Sequence, residues 1–377
     1  MKYGAFYQPL NVGNLTLKNR VVMAPMTRQF SPGGVPTEDV AGYYRRRAEG
    51  GAGLVITEGV GIEDIAALDH PAIPVMYGDA ALAGWKRVVD AVHAAGGRIF
   101  PQLWHQGVLR DASKSNNPDV PGRRPSGVWG PVGHHSLPED YIGTVLEPTR
   151  PMTEEEIADV VAAFAHAAKN AMSVGFDGIA LHGGHGYLID SFMWHETNRR
   201  TDRYGGTLEK RAEFAAELVR AIRHEIGPGV PIMFRFSQHK QQDYRAKLGQ
   251  TPEELGVILN VLADAGVDIF DASTRGFDMP TFAGSDLNLA GWTKKLTGKI
   301  SSTVGGIGLS NRLEQMFAGE ETRALDNLDR VLERFNNGEF DLIMVGRGML
   351  GDPDWSNRVY ANQPLAPFDK AALGKLV

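Results

Sequence analysis

The chain has 377 residues, with 39 basic and 45 acidic side chains and no cysteine. Lack of cysteine excludes disulfides, a thiolate nucleophile, Cys-ligated zinc and a Cys-held iron–sulfur cluster, and a net charge of −6 argues against the basic stripe of a nucleic-acid binder. At 42% apolar and 22% charged the composition is that of a globular protein, and no apolar run reaches the ~18 residues of a membrane span, so neither nucleic acid nor membrane is an expected partner.

The N-terminal stretch MKYGAFYQPLNVG has no apolar h-region and is not read as a secretory signal, so a cytoplasmic location is expected. The first strand-like run is VVMAPM (21–26), the second GLVIT (53–57). An amphipathic helix over 80–95 precedes the third, RIFPQLW (98–104). Next comes a Pro- and Gly-rich stretch, 106–152, carrying Trp129, His134, His135 and Tyr141. Thr153-Glu154-Glu155-Glu156 is a capping box, followed by Ile157, Val160, Val161, Phe164, Ala168 and Ala171 at helical spacing. The fourth strand is FDGIALH (176–182), after which Thr207 starts a helix that Gly227 ends. PIMFRFS (231–237) is the fifth strand, and Thr251-Pro252-Glu253-Glu254 starts another helix. VDIFDAS (267–273), KISSTVG (299–305), a helix over 321–335 and DLIMVG (341–346) complete the series.

Near-continuous apolarity suits parallel strands covered on both faces. Eight strand–helix alternations predict a (β/α)8 TIM barrel. A doubly wound sheet would show a Gly-rich first βα turn, and nothing after 21–26 resembles G-x-G-x-x-G. One domain spanning 1–377 is expected. Its surplus over the ~250 residues of a bare barrel lies mostly in 106–152, read as a loop excursion after the third strand that covers the site.

Barrel enzymes place their chemistry at the C-terminal strand ends. Those ends carry Pro25-Met26-Thr27-Arg28, Thr57-Glu58-Gly59, Gln102 with Trp104 and His105, His182 with His185 and Tyr187, Arg235, Gly305-Gly306, and Gly346-Arg347. The last two suit a phosphate, since glycine admits backbone N–H groups to an anion and Arg347 adds a charged fork. His182 and His185 form H-x-x-H, but the intervening glycines disfavour a helix and no carboxylate separates them. They read either as donors to one substrate oxygen, with Tyr187 as a phenolic proton donor, or with His195 as a metal site of an aldolase or hydrolase barrel. Arg235 needs an anion, either a ligand's or that of a neighbouring acid such as Glu58. Thr27 and Gln102 suit the edge of a planar heterocycle. A flat ring with carbonyls and ring nitrogens and a phosphate tail, as in flavin mononucleotide (FMN), satisfies the whole set.

The motifs MAPMTR (23–28), ITEG (56–59), PQLWH (101–105), HGGHGYLIDSF (182–192), NRRTDRYGGTLEKR (198–211) and MVGRGML (344–350) closely resemble the Old Yellow Enzyme family of FMN-dependent NAD(P)H oxidoreductases, or ene-reductases, over essentially the whole chain. The resemblance implies that Ala24, Pro25, Met26 and Thr27 line the flavin, with the Thr27 hydroxyl on O4. It sets Gly59 beside the ring, Gln102 on its pyrimidine edge and Arg235 near N1 and O2. It assigns the ribityl phosphate to Gly305, Gly306, Gly346 and Arg347. His182 also lies over the flavin and, with His185, would bind the substrate oxygen; Trp104 would line the substrate site and Tyr187 would protonate the substrate. NADH or NADPH would reduce the flavin, and an activated alkene or a nitro compound would then occupy the same pocket; nitrate esters and quinones are alternative oxidants. No metal is implied, and a monomer or a homo-oligomer is equally compatible. Longer relatives carry an iron–sulfur cluster on cysteines that are missing here, so electrons are expected directly from NAD(P)H. Three departures stand out: Val108 where Arg is common, Gly184 where Ala is usual, and the unfamiliar FSQHKQQDY (236–244). Segment 106–152 also matches the family poorly and is expected to govern substrate choice.

Overall fold

The computed structural model describes residues 2–377. It opens with an antiparallel hairpin of β1 (Leu10–Val12) and β2 (Leu15–Leu17), joined through Gly13-Asn14. Eight parallel strands follow: β3 (Val21–Met23), β4 (Leu54–Gly61), β5 (Ile99–Trp104), β6 (Ile179–His182), β7 (Ile232–Ser237), β8 (Ile269–Ser273), β9 (Ile300–Val304) and β10 (Leu342–Val345). They close in sequence order, β10 pairing with both β9 and β3. The main helices are α1 (Glu38–Glu49), α2 (Asp79–Ala94), α3 (Glu139–Val145), α4 (Glu154–Ser173), α5 (Leu188–Met193), α6 (Leu208–Ile226), α7 (Pro252–Ala265), α8 (Leu289–Thr297), α9 (Leu313–Phe317), α10 (Leu328–Asn336), α11 (Arg347–Gly351) and α12 (Trp355–Tyr360).

All eight expected strands form the barrel. The helix starts follow local chemistry: Thr153 caps α4 in a reciprocal box with Glu156, and Thr207 and Thr251 cap α6 and α7. Val22, Leu54, Ile56, Phe100, Ala180, Met233, Ile269, Leu342 and Met344 form one buried cluster with Val12, Leu15 and Leu17 of the hairpin. The hairpin therefore plugs the N-terminal mouth, where Asn14 N–H also donates to Gly229 O at 2.8 Å. The larger core lies between the strands and the helices around them.

One helix differs from expectation. The 321–335 pattern becomes helical only at Leu328, because 323–325 is extended against the loop after β9. Ser310 N–H donates to Arg323 O, and Leu325 N–H to Gly308 O.

Candidate active site

A cavity of about 420 Å³ opens at the C-terminal ends of the strands. Every residue expected to hold the flavin or the substrate lines it, whereas Thr57, Glu58, His105 and His195 do not. A larger hollow of about 630 Å³ lies elsewhere, bounded by segments 33–35, 62–81 and 116–117, and contains none of them.

The chain leaving β3 supplies Ala24, Pro25, Met26 and Thr27, with Thr27 exposed to the cavity. Its shape is held from below by Glu58, which is buried and accepts the N–H groups of Arg28 and Gln29 on Oε2 at 2.8 and 3.0 Å. The second carboxylate oxygen of Glu58 has no hydrogen-bond partner, and burial pushes its carboxyl up to about 7. Register shifts in β4 between Ile56 and Gly59, so Gly59 pairs with Gln102. A Cβ at Gly59 would lie 2.3 Å from Trp104 Cε3, so only glycine admits the indole. Gln102 N–H donates to Thr57 Oγ1 at 3.1 Å, while its buried side-chain Nε2 has no partner.

His182 ends β6, and the loop through Gly186 carries His185 and Tyr187 back over the barrel mouth. His182 stacks on Trp104 with centroids 5.9 Å apart, and meets Tyr187 and His185 edge-on at 4.7 and 5.0 Å. His182 Nδ1 is buried without a partner, whereas His185 Nε2 is 2.8 Å from Ser273 Oγ. Burial, reinforced by Arg235, lowers His182 to about 3, and burial beside His182 and His239 takes His185 well below the usual imidazole range. Burial raises the Tyr187 phenol. Both imidazoles are thus neutral, and the phenol holds its proton.

This loop is pinned by an ion pair that the sequence did not disclose. Lys240 Nζ lies 2.6 Å from Asp190 Oδ1, both side chains fully buried, and Asp190 Oδ2 accepts Gly186 N–H at 2.6 Å. Gln241 N–H donates to His185 O, and Ser237 Oγ accepts His185 N–H. The unfamiliar segment after β7 is therefore the strap for the His185–Tyr187 loop. At Gly184 a Cβ would crowd Phe236 and Ser237 backbone at 3.1 Å, which fits glycine there.

Arg235 is the register partner of His182 on one side and of Asp271 on the other. Its Nε donates to Asp271, so the acid it meets is Asp271 rather than Glu58. Across the cavity lie Gly305, Gly306, Gly346 and Arg347. Arg347 is not a free fork: it donates to Asn311 Oδ1 and O and approaches Thr322 Oγ1.

No cavity-lining residue comes from 106–152. The excursion instead forms its own small core of Val108, Leu109, Trp129, Tyr141, Ile142 and Val145, against which Leu137 and Tyr187 pack. Val108 is one of its buried members. The excursion also braces the strap, through Tyr244 N–H to His134 O and Gly133 N–H to Gln242 O. Walls that sequence reasoning missed come from Ser273–Arg275, α9 and Leu373, while His239 and Gln241 come from the segment 236–244 already singled out in the sequence. Among the described residues no group of three or more His, Cys, Asp or Glu could hold a metal, and His195 pairs with Glu196 outside the cavity.

Residues 5–278 match the model of the NADH:flavin oxidoreductase / NADH oxidase family. The chain is 34% identical to 12-oxophytodienoate reductase 2 of Arabidopsis thaliana, over 96% of this chain and 90% of that protein. It is 33% identical to the NADH oxidase of Thermoanaerobacter brockii over 92% of this chain, spanning only 49% of that longer relative. Among solved structures, morphinone reductase in complex with tetrahydroNAD superposes with a TM-score of 0.78 at 28% identity, covering 98% of this chain and 94% of that one. Old Yellow Enzyme from Pichia sp. AKU4542 gives 0.79 at 26%, covering 98% and 90%.

Proposed function

Because the chain belongs to the NADH:flavin oxidoreductase / NADH oxidase family, we propose that it is an FMN-dependent enzyme that draws electrons from NADH or NADPH and reduces activated alkenes of the enone type, with Tyr187 as proton donor. A cytoplasmic location and small-molecule substrates are part of this proposal. Separately, among the described residues no helix is long and apolar enough to cross a membrane.

The residues present fit FMN. Gln102 Nε2 is a buried donor without a partner on the cavity wall, as a ring carbonyl requires. Nothing lies within 4 Å of a Cβ built at Gly306, and the nearest atom to one at Gly346 is Met26 Sδ at 3.6 Å, so both glycines leave room for a phosphate. When bound, FMN supplies the hydride chemistry, from the nicotinamide to the substrate carbon.

The protein's part is binding, orientation and proton supply. Thr27 and Gln102 hold the ring edge. Arg235, fixed by Asp271, sets a positive charge at the cavity floor that favours negative charge developing beside it. The neutral His182 and His185 donate N–H groups to the substrate oxygen; a Ser273 hydroxyl donating to His185 Nε2 leaves the Nδ1–H for that purpose. The hydrogen bonds polarise the enone, making its β-carbon electrophilic. Tyr187, packed against Trp104 and the excursion core, delivers the α-carbon proton.

The observation that carries this reading is the cluster of His182 at the end of β6 with His185 and Tyr187 on the pinned loop after it, lining one cavity with the orphaned Gln102 amide. In NADPH-driven turnover, Tyr187→Phe should lose about 10²-fold or more in 2-cyclohexenone reduction, the scale of general-acid catalysis. It should lose far less with a quinone, which needs no carbon protonation. Equal losses would refute the role of Tyr187, and a protein that binds no FMN on reconstitution would refute the function.

A further inference from the structure

Behind the cavity floor the barrel holds a polar row. Parallel register sets Arg235 beside Asp271, and Asp271 beside Ser302, on β7, β8 and β9. Neighbours in register point to the same side of a sheet, so the three side chains share one level inside the barrel. The next level down is apolar, with Phe100, Ala180, Met233 and Ile269. Arg235 Nε donates to Asp271 Oδ2, and Ser302 Oγ donates to Asp271 Oδ1 at 3.3 Å. Among the described residues the terminal nitrogens of Arg235 meet no oxygen, and Nη2 only approaches Met344 Sδ at 3.9 Å. Arg235 lines the cavity, whereas Asp271, 1% exposed, and Ser302 lie behind it and do not.

Stability does not account for this arrangement. Apolar side chains of similar volume in place of a buried ion pair are often neutral or stabilising. A floor that needed only a cation would hold it with neutral acceptors. Two other arginines of the same cavity are held in that way: Arg28 by the carbonyls of Ala372, Leu373 and Lys375, and Arg347 by Asn311 Oδ1 and O. Arg235 instead has a carboxylate directly behind it. Coulomb energy falls with distance, so the nearer guanidinium still dominates at the cavity, and the carboxylate subtracts part of its effect.

Resting on the FMN reading above, we propose that Asp271 is a positioning residue that turns the terminal nitrogens of Arg235 into the cavity and holds down the reduction potential of the bound flavin. Uptake of two electrons and one proton by the ring adds one negative charge. Arg235 favours that charge, and Asp271 opposes it from one strand further back. The balance suits a carrier that takes hydride from NADH or NADPH and passes it to an alkene. An unopposed cation would favour the first transfer and hold back the second.

The test is a spectroelectrochemical titration of the holoenzyme at pH 7, comparing wild type with Asp271→Asn and Ser302→Ala. Asparagine keeps an oxygen for Arg235 Nε and removes the charge. The ratio of reduced to oxidised flavin at a fixed potential should rise about 10-fold or more, a shift of about +30 mV for a two-electron couple. Rapid mixing should then show faster reduction by NADPH and slower reoxidation by 2-cyclohexenone, whereas a merely structural defect would slow both. Ser302→Ala keeps both charges and removes the hydroxyl that screens the carboxylate. Its ratio should fall about 2- to 3-fold, a shift of about −9 to −14 mV. With FMN retained, an unchanged or lower ratio in Asp271→Asn overturns the proposal, as does slowing of both half-reactions. If Asp271→Asn does not fold or loses FMN, the Ser302→Ala shift decides, and a rise or no change there overturns the proposal. If wild type holds FMN but does not reduce 2-cyclohexenone, the ene-reductase reading fails by itself and the potentials still decide this one. A wild type that takes up no FMN refutes the cofactor reading and this inference with it.

Discussion

The buried pair between Lys240 and Asp190 makes a sharp quantitative prediction. Neither side chain is exposed, and the carboxylate also accepts Gly186 N–H between the two catalytic candidates His185 and Tyr187. Burial pushes Asp190 up and Lys240 down, and their mutual contact opposes both shifts. Lys240→Met removes the cation and leaves a buried carboxylate with one N–H donor. Breaking such a pair costs about 3–5 kcal/mol. Asp190 can escape that penalty only by protonating, so the loss must depend on pH. Without Lys240, the folded-state pKa of Asp190 rises further above its unfolded value of about 3.9. A group raised in this way keeps its contribution below the unfolded pKa and loses it as pH climbs through the folded one. Within that window the slope is about 1.4 kcal/mol per pH unit, so between pH 5 and pH 7 the deficit should grow by about 2.7 kcal/mol. Thermal unfolding of wild type and variant, at fixed FMN concentration and at both pH values, measures this. A Tm loss of roughly 5–10 °C is expected at pH 7, and clearly less at pH 5. Adding Asp190→Asn removes the stranded charge but keeps an oxygen for Gly186, and should recover part of the loss at pH 7. A deficit independent of pH, or a double variant no better than Lys240→Met, would refute the reasoning.

Three further outcomes follow from local geometry. Gly59→Ala drives a Cβ to within 2.3 Å of Trp104, so the indole must shift into the cavity. FMN affinity should fall and stability should drop by about 1–3 kcal/mol, the scale of overpacking; an FMN dissociation constant within two-fold of wild type would contradict this. His182 and His185 should show no titration between pH 5 and 8 in ring NMR spectra, because their depressed values keep them neutral; the stability they confer is present above about pH 6.5 and lost as pH falls towards 3. A midpoint near 6.5 for either ring would count against the donor roles assigned to them. Glu58, raised to about 7, contributes stability that is complete below its unfolded value and disappears as pH rises through 7. Glu58→Gln should therefore flatten the decline of Tm between pH 6 and 8, and an unaltered slope would show that another group is responsible.

Much of this was legible beforehand because the signals are local. A parallel strand buried on both faces reads as a short apolar run, and a capped helix announces itself within four residues, as Thr153 and Glu156 do. Once the eight runs are taken as a closed barrel, their C-terminal ends must converge, which is why Thr27, Gln102, His182, Arg235 and Arg347 share one cavity. The hairpin at 10–17 was also within reach, since LNV and LTL flank the two-residue turn Gly13-Asn14. Its strands are only three residues long, too short for periodicity to reveal.

What the sequence by itself determined was the barrel, the order of its strands and the set of polar groups at their ends. Partnership was decided only by the tertiary structure. Arg235 meets Asp271 because parallel register places the two side by side on β7 and β8. Arg347 bonds to Asn311, and Lys240 reaches Asp190 across fifty positions of chain. The excursion 106–152 turns its apolar side chains into a brace behind Tyr187 instead of a wall of the cavity. In each case the outcome depends on which side chains come within about 3 Å once the barrel closes. Periodicity carries information along the chain, whereas a hydrogen bond or an ion pair depends on distance across it.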